Sequence, residues 1–195
     1  MARKAMRGGT LLAPVPPALV TVGNLEKSNV LTVAWTGILC SDPALTYVSI
    51  RPGRHSHGLL TEGGEFVIHL PSEALARQVD FCGIYTGAKV DKLAKCGLTA
   101  IPSEIVAAPT IAECPIALEC RVLEVRSLGT HDMFLGEIVA VTADEALFDE
   151  KGKLHMERAH LVAYAHGEYY ALGRVLGRFG FSTDKGGKRK GGKHK

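Results

Sequence analysis

The apolar residues of this chain come in short runs, each about five to ten residues long, and turn-forming residues separate the runs. Runs of this length that are rich in valine, isoleucine, threonine and aromatic residues are typical of β-strands. None of them is long enough to span a membrane as a helix. The pattern predicts six or seven strands, at 18–22, 29–36, 45–50, 66–70, 116–125, 133–141 and 161–165.

The run at 116–125 changes phase along its length. Every second residue from Ile116 to Val122 is apolar, and the apolar positions then move to Leu123 and Val125. A shift of one residue within a period of two is what a β-bulge or a strong bend produces. Since bulges curve sheets into barrels, and Gly129 with Thr130 separates this run from the next, we predict a long, bent hairpin.

Helical signals are few and short. We predict helices at 55–62, at 73–81 with Ser72 as the N-cap, and at 90–95 before Gly97. Strands and helices do not alternate, so the pattern excludes a doubly wound parallel sheet. The expected fold class is mainly β with short helices, arranged as a closed or partly closed antiparallel barrel.

The basic character of the chain comes from its last residues. Residues 185–195 contain six Lys/Arg and no acid, whereas the whole chain has a net charge of only +3, so the remainder is net acidic. We therefore predict a single domain at 1–183 that has no specific nucleic-acid-binding face. The tail at 184–195 lacks apolar residues and is predicted to be disordered. It either keeps the protein in solution or makes weak phosphate contacts.

Several familiar sites are missing from the sequence. The five cysteines form no C-x-x-C pair, which argues against a zinc site and a secreted disulfide framework. The spacing of the histidines predicts no metal site either. We interpret the protein as cytoplasmic, with reduced thiols. Neither a G-x-G-x-x-G turn nor a P-loop is present, so a nicotinamide cofactor, if one is used, would visit without a Rossmann domain.

The strongest candidate for an anion site is the segment that follows Ile50. A strand ends there, a Pro-Gly turn follows, and a helix is predicted to begin. Free N–H groups at a helix N-terminus and guanidinium groups suit a phosphate. The side chains that would take part are Arg51, Arg54, His55 and Ser56. The alternative is that the two arginines only cap and solvate a turn.

Trp35, the only tryptophan, lies late in the second predicted strand. It is either a core residue or one wall of a pocket for a flat aromatic ligand. Thr32 and Thr36 would share a strand face with Ala34 and supply hydroxyls to such a ligand.

His131 opens the predicted strand at 133–141, next to Asp132, which could hold its ring. It is either an exposed turn residue or a group that takes part in proton transfer.

Taken together, the segments of this chain resemble the flavin reductase-like family of FMN-binding split-barrel proteins, and within it the flavoredoxin-type members. The resemblance covers nearly the whole domain in family order, although each segment alone is weak. The matching segments are NVLTVAWTGILCSDPALTYVSIRPGRHSHGLL (29–60), GEFVIHLP (64–71), FCGIYTGAKVDKLAKCGL (81–98), CPIALECRVLEV (114–125), HDMFLGEIVAV (131–141) and HGEYYALG (166–173).

The resemblance implies a Greek-key antiparallel split β-barrel, a homodimer and an FMN cofactor. It implies that Asn29, Thr32, Ala34, Trp35 and Thr36 line the ring system and ribityl chain. It further implies that the phosphate end is surrounded by Ser49, Arg51, Arg54, His55, Ser56 and Lys92. His131 matches a position near the flavin in reductase relatives and is the expected catalytic residue.

The expected function is that of an oxidoreductase that passes electrons from NAD(P)H through FMN to an acceptor. The acceptor would be free flavin, ferric iron or a partner protein. Two alternatives stay open: an electron-transfer protein like flavoredoxin without NAD(P)H activity, and a flavin-binding module without turnover.

Overall fold

The computed structural model describes residues 1–183, and the tail predicted at 184–195 lies outside the described residues. The strands are β1 Ala18–Gly23, β2 Ser28–Val33, β3 Thr36–Ser41, β4 Ala44–Ile50, β5 Glu65–Leu70, β6 Ala100–Ile101, β7 Thr110–Ile111, β8 Ile116–Ser127, β9 Asp132–Ala143, β10 Val162–Ala165 and β11 Glu168–Ala171. The α-helices are α1 His55–Gly63, α2 Ala76–Ile84 and α3 Lys92–Cys96.

Seven strands form one antiparallel sheet in the order β2-β1-β5-β8-β9-β4-β3. Strands β2 and β3 lie at opposite ends of this order, yet only Ala34 and Trp35 separate them in the chain. The sheet must therefore curl until its ends meet. A hydrogen bond of 2.9 Å from the Ser49 amide to the Trp35 carbonyl joins β4 to this corner. The fold is the antiparallel barrel that the sequence predicted, and β4 beside β9 gives the Greek-key connection.

The barrel interior is filled by alternate residues of its strands. Ala18, Val20 and Val22 of β1 contact a buried cluster that contains Phe66 and Phe134. The phase change predicted in β8 is confirmed, because the β8–β9 ladder shifts register twice. These irregularities bend the long hairpin around the interior.

The other face of β1 and β2 is also covered. Leu19 and Val30 pack against Val79 and Cys82 of helix α2, in a second buried cluster. Helix α2 thus lies on the outside of the barrel beside β2. Because both faces of β1 and β2 are covered, buried and exposed residues do not alternate along either strand.

Three local predictions were wrong in detail. The predicted strand at 29–36 is two strands that break at Ala34, and β3 was not predicted at all. The helix predicted at 73–81 begins as a 3-10 turn at Glu73–Leu75, and Ser72 makes no side-chain cap bond there. The last strand is half of a hairpin with β11. The turn of this hairpin consists of His166 and Gly167, and both residues have positive φ. Turns of this kind usually contain Asn-Gly, a signal that is missing here.

Within residues 1–183, no helix is long and apolar enough to cross a membrane. The same residues contain no group of three or more His, Cys, Asp or Glu side chains arranged to hold a metal ion.

Candidate functional site

A cavity of about 440 Å³ opens at the corner where β2 passes into β3. Five parts of the chain meet around it, together with Pro17: the corner itself, the turn after β4, helix α2, the β8–β9 turn, and the β10–β11 hairpin. The residues that line it are Pro17, Leu31, Thr32, Val33, Ala34, Trp35, Ser49, Ile50, Arg51, Arg54, Asp80, Gly83, Ile84, His131, Tyr164 and Tyr169. Its size is within the range of small-molecule and cofactor sites.

A buried lysine lies beside the cavity. The side chain of Lys92 is only 3% exposed, and its Nζ donates a hydrogen bond of 3.1 Å to the Cys82 carbonyl. Within the described part of the chain, Lys92 forms no ion pair with an acid. Loss of hydration lowers the pKa of Lys92 to about 8, and the positive charge of Arg54 acts in the same direction. A buried ammonium with a carbonyl as its partner is poised to accept an anion.

A polar contact between two elements lies deeper in the same region. Asn29, at the start of β2, donates from Nδ2 to Oγ of Ser56 in helix α1, and both residues are buried. The chain also passes closely at Gly87, where a Cβ atom would lie 2.0 Å from Asn29 Oδ1. Only glycine fits this approach, so the loop after α2 is held against the Asn29 amide.

The N-terminus of helix α1 is open on the side of the turn. Its N-cap residue is Arg54, and no side chain caps the first amides. Arg51 and Arg54 both line the cavity, and the Arg54 amide bonds to the Arg51 carbonyl at 2.9 Å, which closes the turn. A helix N-terminus with two guanidinium groups beside it has the electrostatics of an anion site.

Trp35 and Ala34 form the wall of the cavity at the corner. Trp35 is 40% exposed, so it is not the core residue that was the alternative. Thr32 lines the cavity and donates its hydroxyl to the Val79 carbonyl, which fixes β2 against helix α2.

Five of the predicted residues are not part of the cavity lining: Asn29, Thr36, His55, Ser56 and Lys92. Thr36 begins β3, and its hydroxyl donates to the Tyr47 carbonyl at 2.6 Å. The strand break at Ala34 explains this, because Thr32 and Thr36 no longer share one strand. His55 is exposed at the first position of α1 and is also absent from the lining. The other three, Asn29, Ser56 and Lys92, are buried.

His131 lies in the β8–β9 turn and lines the cavity. Its Nδ1 is 3.0 Å from the Thr130 hydroxyl. The suggestion that Asp132 holds this ring was wrong, because Asp132 is 2.8 Å from Nε2 of His57. Hydrogen bonds from His57 and Ser127 lower the pKa of the Asp132 carboxyl.

Sequence reasoning missed the residues on the outer side of the cavity. Asp80, Gly83 and Ile84 come from one face of α2, and Tyr164 and Tyr169 come from the last hairpin. The hydroxyl of Tyr169 donates to Asp80 at 3.3 Å. The spacing of three and four residues in α2 was a usable signal for one helix face, whereas no local pattern indicates where the hairpin docks.

Comparisons with known proteins agree on one family. A family model described as flavin reductase like domain matches residues 11–173. A protein of Archaeoglobus fulgidus is 40% identical over 72% of this chain and 78% of its own length. A protein of Pyrococcus abyssi is 34% identical over 84% of this chain and 94% of its own length.

Solved structures give the same result. A flavoredoxin of Desulfovibrio vulgaris (Miyazaki F) superposes with a TM-score of 0.86 at 34% identity and covers 93% of this chain and 100% of its own. An FMN-binding protein of Thermus thermophilus, solved with bound 1-cyclohex-2-enone, has a TM-score of 0.72 at 31% identity and covers 88% of this chain and 93% of its own.

Proposed function

We propose that this chain, which belongs to the flavin reductase-like domain family, holds FMN in the corner cavity and passes electrons from NAD(P)H through it to an acceptor. Membership of the family makes the chain a flavin-binding redox protein. Naming FMN as the flavin and NAD(P)H as the electron donor goes beyond what family membership shows. The observation that carries the choice of FMN is the buried Lys92 ammonium, which lies near Arg54 and forms no ion pair with an acid among residues 1–183.

The residues fit the terminal phosphate of FMN. Lys92, Arg51 and Arg54 supply positive charge, and the open N-terminus of α1 supplies amide donors. A dianionic phosphate would offset the desolvation penalty of the buried Lys92 ammonium, since charge-assisted hydrogen bonds are among the strongest in proteins. Asn29 and Ser56 hold β2 and α1 together at this end. The wall at Ala34 and Trp35 suits a flat ring system.

Bound FMN would accept a hydride from NAD(P)H and pass electrons to free flavin, ferric iron or a partner protein. The chain's own contribution is to bind, orient and protonate. His131 lies in the cavity lining, and its Nδ1 is engaged with Thr130. We assign His131 one of two roles at the flavin ring: it transfers a proton, or it positions the nicotinamide of NAD(P)H.

The absence of a dinucleotide-binding motif shapes this proposal. NAD(P)H would reach the cavity from its open outer side, where Tyr164, Tyr169 and Ile84 lie. The same absence, together with the 34% identity to a flavoredoxin, supports the second candidate, an electron-transfer protein that takes electrons from a protein donor. The third, a flavin-binding module without turnover, has no supporting observation of its own.

We propose that the protein works as a homodimer in the cytoplasm, with neither a membrane nor a specific nucleic acid as a partner. The β3 strand that forms one end of the sheet order carries Ile38 and Leu39, which are 65% and 50% exposed. Trp35, in the cavity wall, lies next to this strand. A second copy that covers this apolar edge would also screen the cavity from water.

Flavin affinity and flavin reduction test the proposal separately. FMN should bind more tightly than riboflavin, and equal affinities would contradict the phosphate assignment. Anaerobic addition of NADH or NADPH to the FMN-loaded protein should then bleach the flavin absorbance. If the nucleotides fail and a reduced ferredoxin-like protein succeeds, the electron-transfer candidate is correct. Failure of both donors would favour the module without turnover.

A further inference from the structure

Two cysteines face each other beside the buried lysine. Sγ of Cys82, in helix α2, is 3.9 Å from Sγ of Cys96, the last residue of helix α3. Both thiols are free. A disulfide requires its sulfur atoms to lie about 2 Å apart, so a small movement of α3 toward α2 brings them to bonding distance. The proposed electron path uses neither thiol.

A second cavity leads to this pair. It has a volume of about 890 Å³ and adjoins the first cavity on the other side of α2. Cys96 lines it, together with Arg77, Lys95 and the stacked rings of Phe81 and Tyr85, whose centroids are 4.2 Å apart. Cys82 is 1% exposed, whereas Cys96 is half-buried. A reagent that enters this cavity therefore meets Cys96 first.

The charges of the second cavity favour an anionic ligand. Arg77 and Lys95 contribute two cations, against the single carboxylate of Asp80, which already accepts a hydrogen bond from Tyr169. Guanidinium and ammonium groups beside an aromatic stack can hold a small molecule that carries carboxylates.

We propose that Cys96 and Cys82 are a redox-active dithiol, oxidised by an anionic low-molecular-weight disulfide that binds in the second cavity. The Cys96 thiolate attacks one sulfur of the disulfide RS–SR and releases RS⁻, which leaves Cys96 in a mixed disulfide. Cys82 then attacks Cys96 Sγ, the mixed disulfide breaks, and a second RS⁻ departs. Two protein thiols are oxidised, one small disulfide is reduced, and the two thiol protons end on the two RSH products.

The surroundings of Cys82 explain why it acts second. Burial and the neighbouring Cys96 together raise the pKa of Cys82 to about 12, although the positive charge of Lys92 acts in the opposite direction. Once Cys96 is in a mixed disulfide it carries no ionisable thiol. The effect of Cys96 on the pKa of Cys82 then disappears, and the favourable charge of Lys92 is opposed only by burial.

Formation of the disulfide also reaches the flavin site, a consequence that rests on the proposed function. Lys92 donates to the carbonyl of Cys82 itself and begins the helix that Cys96 ends. Drawing the two sulfurs together moves both partners of this hydrogen bond. We infer that oxidation displaces the Lys92 ammonium and weakens the hold on the FMN phosphate.

Mass mapping of the whole protein tests the dithiol. The reduced protein is freed of reductant, exposed to oxidised glutathione, quenched in acid and alkylated. We expect a Cys82–Cys96 disulfide in the wild type and in the control variant Cys40→Ser, which replaces a half-buried cysteine of β3. Cys82→Ser should trap one glutathione on Cys96, and Cys96→Ser should leave Cys82 reduced. Glutathione on Cys82 in the Cys96→Ser variant, or an unreacted pair in the wild type, would overturn the proposal.

Two further measurements test the class of ligand that binds in the second cavity and the coupling between the dithiol and FMN binding. Lys95→Gln and Arg77→Gln should slow oxidation by anionic glutathione disulfide several-fold but not by cationic cystamine, and equal slowing would reject the cavity as the binding site. The oxidised protein should bind FMN several-fold more weakly than the reduced protein, with riboflavin affinity unchanged. An unchanged FMN affinity rejects the coupling. A reduced protein that binds no FMN contradicts the proposed function, while the thiol map still decides the dithiol.

Discussion

The clearest consequence of the buried Lys92 is that FMN binding should take up a proton at alkaline pH. Loss of hydration holds the pKa of Lys92 at about 8 in the free protein, so close to pH 8 about half of the molecules carry a neutral lysine. A phosphate beside the amine favours the ammonium and raises this pKa. Each pH unit above about 8 should therefore weaken FMN binding about tenfold, or by about 1.4 kcal/mol.

Riboflavin is the matched ligand, because it has the same ring system and ribityl chain without the phosphate. Its affinity should not change with the state of Lys92. The measurement is calorimetric titration between about pH 7 and pH 9.5 in buffers with different ionisation enthalpies, above the second phosphate pKa of about 6. Proton uptake with FMN and none with riboflavin would support the assignment. Uptake that is the same for both ligands would refute it.

The variant Lys92→Gln removes the charge and keeps an N–H donor for the Cys82 carbonyl. Charge-assisted hydrogen bonds contribute about 1.5–3 kcal/mol, so FMN affinity should fall about 10- to 100-fold and lose its alkaline dependence. The free protein should be no less stable, because its lysine has a lowered pKa. Such a group makes stability rise as pH rises from about 8 toward 10.5. A variant that binds FMN like the wild type would show that the phosphate lies elsewhere.

Three further expectations follow from single residues. His131→Ala should keep FMN bound but slow its reduction by NAD(P)H about 100-fold in stopped-flow measurements; an unchanged rate and pH profile would make His131 a structural turn residue. Gly87→Ala places a Cβ atom 2.0 Å from Asn29 Oδ1, so denaturant unfolding should show a loss of about 1–3 kcal/mol, whereas Gly58→Ala, with open space around it, should show none. His69 accepts from the Ile111 amide and donates to the Leu19 carbonyl, and burial lowers its pKa to about 4. Stability should therefore fall by about 2 kcal/mol between about pH 7.5 and pH 5, and a flat profile would contradict the neutral, doubly bonded ring.

Most of the barrel was predictable because its signals are local. The phase change at 116–125, the turn at Gly129 and the short helix before Gly97 are each visible within a few residues. The break at Ala34 is not visible in this way. The pattern of residues 29–36 is that of one strand. They form two strands because β2 and β3 lie at opposite ends of the same sheet. Closure depends on the pairing of distant strands, which a local period cannot report.

The same distinction separates the parts of the candidate site. The turn at Arg51 and Arg54, which we propose as the phosphate site, was predictable as a turn because the strand end, the turn and the helix start are contiguous in the chain. Lys92 was indicated only by family resemblance, since a lysine at the start of a short helix is ordinarily exposed. Its importance comes from being 3% exposed and in no ion pair among residues 1–183. For Asp132, proximity in sequence was misleading. It suggested that Asp132 holds His131, but in the folded barrel Asp132 bonds to His57. Roles that depend on a buried charge or on a partner across strands therefore cannot be predicted without the folded barrel. The Lys92 titration tests a role of the first kind.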